Sequence, residues 1–173
     1  TIAALTLVMV TTAGGYAAAM YAGDTDMGRK AASMVTSPGW DGYTGLGATS
    51  VSATILLAVG VVMSWSVGRE FTDGTIVGLF AIPPSLRTIA TAKMVVTLSW
   101  AVLLGAGEAA LLMTAGLLLG LGAAGAAGCF VTLLLVSVVL GAGVLPVMWV
   151  ATWWRSYLAG IGLTLAILVV TNL

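Results

Sequence analysis

From Gly45 to Val67 the chain runs for 23 residues without a charged side chain. As a helix rising 1.5 Å per residue that stretch is roughly 34 Å long, enough to cross a hydrocarbon core of about 30 Å. Lipid offers no hydrogen bonds, so a crossing segment has to satisfy its own backbone N–H and C=O groups, and a helix does so within one segment. Comparable stretches recur at Thr1 to about Tyr21, Met94 to Leu119 and Cys129 to Trp149, and Ser156 to Leu173 begins another. The expected fold class is therefore all-α, a polytopic transmembrane helix bundle with five spans visible. Only 7% of residues are charged and 60% are hydrophobic, with a mean hydropathy of +1.14. A soluble domain carries about 25% charged residues and is excluded.

The polar segments set the orientation. Residues 22–44 are expected to form an outer loop, with Asp24, Asp26 and Asp41 against Arg29 and Lys30 and a turn at Pro38-Gly39. Trp40 and Tyr43 suit the membrane surface, with substrate contact as the alternative. Gly120 to Gly128 carries no charge and reads as a tight outer turn between spans three and four. Gly141, Gly143 and Pro146 mark kink points in the fourth span, and Trp149, Trp153, Trp154 and Arg155 mark its return to the opposite interface. Hydroxyls at Ser50, Ser52, Thr54, Ser64 and Ser66 read as helix packing, with a polar lining as the alternative.

Arg69 to Lys93 holds five of the twelve charged residues of the chain, Arg69, Glu70, Asp73, Arg87 and Lys93. Together with Arg155, this face would carry four cations against the two of the outer segments, which places it in the cytosol. A short helix is expected over Arg69 to Ala81, with Phe71, Ile76, Leu79 and Phe80 on one side and Thr72, Asp73 and Thr75 on the other. Pro83 and Pro84 would stop it in a rigid corner. Ser85 suits an N-cap for the next helix, with Arg87 at its rim and Lys93 snorkelling to the headgroups.

The order Arg69-Glu70-Phe71, Asp73-Gly74-Thr75, an apolar run, Pro83, Arg87 and Lys93, between two spans, resembles the segment after the second transmembrane helix of type-2 ABC exporter permeases. That family exports drugs, lipids, polysaccharides or ions. The resemblance implies that residues 69–81 form a coupling helix docked on a separate ATP-binding subunit, and that Arg69, Glu70, Phe71, Asp73, Gly74, Thr75, Pro83 and Arg87 take part in coupling. Glu70 would hold the cytosolic helix in place or pair with a basic residue of the ATPase. The resemblance further implies six spans, a leading amphipathic helix, a second permease as homo- or heterodimer partner, and a multi-pass location in a cell membrane, the bacterial inner membrane. Thr1 and Leu173 are accordingly expected to be cut ends. ATP and magnesium would belong to the partner ATPase, with no cofactor on this chain.

Glu108 is the only acid inside a span, roughly 21 Å past Met94. A carboxylate is costly there, so Glu108 should face protein or a water-filled cavity, either on the export path or bonded across a helix interface. Gly116 and Gly120 offer a small-xxx-small packing face. Cys129 is a lone thiol, read as a small buried residue, and the scattered methionines have no histidine beside them to suggest a copper path.

The formal net charge is zero, which gives no electrostatic case for nucleic acid. No phosphate loop of the GxxxxGK[ST] form occurs, so the energy would come from the partner. A structural or assembly subunit and a secondary transporter are the rivals. The first would not need the Arg69 to Lys93 pattern, and the second should carry several intramembrane charges. A membrane enzyme lacks the catalytic groups it would require.

Overall fold

The computed structural model describes residues 2–21, 24–75, 78 and 85–171. In chain order the helices are α1 (Ile2–Tyr21), α2 (Asp26–Met34), α3 (Trp40–Thr72), α4 (Leu86–Leu118), α5 (Ala126–Gly143), α6 (Leu145–Trp153) and α7 (Tyr157–Thr171). Among the described residues three stretches are long and apolar enough to cross a membrane: Trp40–Thr72, Arg87–Leu118 and Ala126–Trp153. Helix α1 joins them as a candidate only together with α2, and α7, with 15 residues, is shorter than a full crossing of about 20. Three of the five expected spans are thus clear among the described residues.

The helix limits also differ from the hydropathy limits. Helices α3 and α4 each have 33 residues, so each is about 50 Å long and outruns the hydrocarbon at its ends. Residues Arg69–Thr72 are therefore the last turn of α3, where a separate helix was expected to begin. Helix α4 likewise starts eight residues before Met94.

The segment expected as an outer loop contains a helix, α2. Thr25 caps that helix by accepting a hydrogen bond from Gly28 N at 3.1 Å. Capping and a favourable first-turn acid, Asp26, outweigh the polar composition that suggested a loop. Between α4 and α5, Gly120, Gly122 and Gly125 adopt left-handed backbone conformations, which is why this connection needs glycine. The Ala126–Trp153 span breaks at Val144, just before Pro146, which cannot donate to the helix ladder.

The chain forms two compact units, Thr1–Thr54 with Leu103–Ser137, and Ile55–Val102 with Val138–Leu173. The first is fastened by aromatic side chains near the start of α3. Tyr43 is fully buried, and its hydroxyl donates to the Leu112 carbonyl at 2.9 Å. Tyr16 packs edge-on against Tyr43 and accepts a hydrogen bond from Gly39 N at 2.8 Å. Trp40 donates from Nε1 to the Gly122 carbonyl at 3.0 Å, and its ring fills the space a side chain at Gly116 or Gly125 would need. Gly116 thus accommodates an indole, while Gly120 lies beyond the end of α4, so the expected helix-packing pair is corrected.

In the second unit α3 and α7 run in close contact. Thr164 lies against Gly60, Ser64 against Gly160, and the Tyr157 backbone against Gly68. Both hydroxyls are bonded within their own helices, Ser64 Oγ to the Gly60 carbonyl at 2.6 Å and Thr164 Oγ1 to the Gly160 carbonyl at 3.0 Å. Thr164 turns its methyl and hydroxyl toward Gly60, and Ser64 turns its hydroxyl toward Gly160. Two small residues four apart on each helix permit this approach, the arrangement by which membrane helices gain dispersion contact.

Candidate functional site

The residues singled out between Arg69 and Lys93 meet at the end of α3 and the start of α4. Helix α3 stops where Gly74 takes φ +69°, with Asp73 N donating to the Arg69 carbonyl at 2.8 Å. Gly74 is needed for this left-handed turn. Thr75 Oγ1 lies 3.4 Å from the Glu70 carbonyl, a long contact that leans back over the turn. Arg69 is exposed; its Nε is 2.8 Å from Asp73 Oδ2 and its guanidinium lies 4.9 Å from the Trp65 ring centroid.

Glu70 has a different environment. Its carboxylate is 2.5 Å from Lys93 Nζ, and both side chains are about three-quarters buried, at 24% and 21% exposure. Lys93 also donates to the Ser66 carbonyl at 3.0 Å. The expectation that Lys93 snorkels to headgroups is corrected: a carboxylate and a free lone pair on α3 hold the ammonium better than water at the surface. Sequence spacing could not show this pair, since 23 residues separate its members. Beneath it lies an apolar cluster of Met63, Val67, Met148 and Ala151, with Phe71, Ala90, Met94 and Leu145 packed against it. Phe71 is thus half-buried in the protein.

Ser85 caps α4, accepting from Thr88 N at 3.2 Å. Arg87 follows in the first turn, exposed and outside the described ion pairs. Pro83 and the remainder of the expected helix, apart from Gly78, lie outside the described residues. The structure therefore brings Glu70, Phe71 and Lys93 together, leaves Arg69, Asp73, Gly74 and Thr75 on the exposed turn beside them, and sets Arg87 at the cap of α4.

Glu108 lies elsewhere, on α4 within the first unit. It is fully buried, and neither carboxylate oxygen has a hydrogen-bond partner among the described residues. Ser137 of α5 packs against Gly105, and Leu5 of α1 lies 3.7 Å from where a side chain at Gly107 would start. The glycines around Glu108 thus admit neighbouring helices on two sides.

Long apolar helices with charge gathered at their ends define a multi-pass membrane protein. Over residues 1–171 the sequence matches the family model described as ABC-2 family transporter protein, and the chain belongs to that family. It is a membrane transport subunit of the permease kind. Neither the curated proteins nor the solved structures returned a match.

Proposed function

We propose that this chain is the transmembrane permease subunit of an ATP-driven ABC exporter in a bacterial inner membrane, paired with a second permease and with two ATP-binding subunits. ATP and magnesium reside on those subunits. The cargo is a drug, lipid, polysaccharide or ion, and Glu108 is the polar point on its path.

The observation that carries this reading is the Glu70–Lys93 pair. The exposed turn at Asp73–Thr75 and the cap at Arg87 are where an ATPase would seat. A push on that segment reaches α3 and α4, which the ion pair and the Phe71 cluster bind into one element. Such an element moves as a rigid body, the motion by which nucleotide-driven closure of the ATPases would be passed to the spans. Glu70 is then a positioning residue that keeps the docking turn attached to α4.

The test is co-expression with an ATP-binding subunit encoded beside it, followed by purification and reconstitution. The two should purify together, and Glu70→Ala should lower nucleotide hydrolysis by the complex several-fold with membrane insertion unchanged. A complex without any nucleotide-hydrolysing companion, or full hydrolysis in the variant, would overturn the proposal.

A further inference from the structure

A cavity of about 450 Å³ opens in the first unit between the start of α3 and the start of α5. That volume lies within the roughly 300–1,000 Å³ usual for small-ligand sites. Its wall is Trp40, Asp41, Thr44 and Gly45 on one side and Gly128 and Thr132 on the other. Gly45 and Gly128 leave room on the wall, since a methyl group added at either would meet nothing within 4 Å. Thr44 and Thr132 offer only neutral hydroxyls, which leaves Asp41 as the strongest polar group on the wall.

Asp41 is the one charged residue lining the cavity, and it takes part in none of the described ion pairs, Arg29–Asp26, Arg69–Asp73 and Lys93–Glu70. It stands in the first turn of α3. The helix N-terminus carries about half an elementary positive charge, which offsets the carboxylate only in part and leaves the mouth net negative. Beside it the Trp40 ring is immobilised by its hydrogen bond to Gly122 and by its packing on Gly116 and Gly125. A fixed indole next to a carboxylate is the pairing that recognises an organic cation. The rest of the wall is small and largely apolar, suited to a hydrocarbon tail.

We propose that this cavity binds an amphiphile with a protonated amine head, the ammonium at Asp41 and Trp40 and the tail along Gly45 and Gly128. The site does not depend on the ATPase and can be tested apart from the exporter reading.

The experiment measures binding of radiolabelled dodecylamine to the full chain in phosphatidylcholine nanodiscs, with empty discs subtracted. Saturable binding is expected, weakened on the order of tenfold by Asp41→Asn, as befits loss of a charge-assisted contact. Asp26→Asn should leave it unchanged. Gly128→Leu and Gly45→Leu, each filling the cavity from an opposite wall, should abolish it. Equal affinity for Asp41→Asn, equal affinity of the wild type for dodecanol, or no saturable binding at all would overturn the proposal. So would a wild type that binds no amine together with a shift from dimer to monomer in Gly128→Leu, because the cavity would then seat a second copy.

Discussion

Lys93 reaches from the third turn of α4 to within 2.5 Å of the Glu70 carboxylate in the last turn of α3. Its second bond, to the Ser66 carbonyl, fixes the ammonium one turn further along the same helix. The pair is neither fully exposed nor fully enclosed, so its worth lies between a surface pair at under about 1 kcal/mol and a buried one whose breakage costs about 3–5 kcal/mol.

Glu70→Gln and Lys93→Gln should each lower stability by about 1–2 kcal/mol. The double variant should lose less than the sum. A double-mutant cycle on unfolding in detergent measures the coupling directly, and strict additivity would show that the two groups are independent.

Glycine substitutions should split by position. At Gly68 a methyl would overlap the backbone of Tyr157, which cannot rotate away, so Gly68→Ala should cost about 2–3 kcal/mol. Gly14 in α1 has open space around it, and Gly14→Ala should stabilise the helix by about 0.5–1 kcal/mol. Thermal unfolding of the two variants side by side gives the signs.

Tyr43→Phe removes one buried hydrogen bond and keeps the ring against Tyr16 and Trp40. A loss of about 1 kcal/mol is expected. Tyr43→Ala empties the ring's place as well and should cost about 3–5 kcal/mol. Equal losses would show that the hydroxyl contributes everything.

Glu108→Met exchanges a buried, unpartnered carboxyl for an apolar chain of similar size. Unfolding should show stability preserved or raised, because the desolvation cost disappears. Transport in the reconstituted complex should fall if Glu108 lies on the path. Intact transport would confine Glu108 to packing.

Topology has its own check. In a Cys129→Ala background, Asp73→Cys should react with a membrane-impermeant thiol reagent only from the cytosolic side, and Ser33→Cys only from outside. Both positions are exposed. The reverse pattern would put the turn at Asp73–Thr75 on the face opposite to the one the proposed function requires.

Much of the fold was legible because lipid reduces the choice to oily helices, and Gly45–Val67 could hardly be anything else. The helix limits were not, since a helix that leaves the membrane stays a helix while its hydropathy falls, as at Arg69–Thr72. The N-cap at Ser85 and the break near Pro146 were readable from local chemistry. Helix α2 was hidden by its polarity, although Thr25 before Asp26 was a start signal. The pairing of Glu70 with Lys93 and the cover of Trp40 over Gly116 and Gly125 depend on which helices meet, and one sequence carries no record of that. The contact between α3 and α7 had a trace: Gly60 with Ser64, and Gly160 with Thr164, repeat the four-residue spacing that drew notice at Gly116 and Gly120. What obscured it was the hydroxyl in each pair.

Thr164 against Gly60 and Ser64 against Gly160 are reciprocal, like teeth meshing from opposite directions along an antiparallel rack. Advancing α7 by one residue would bring a larger neighbour onto each glycine, so the two helices have a single comfortable registry. Under the proposed function, the second-unit part of α3 and α7 would move as one piece, and a substitution that wedges them apart would loosen that piece.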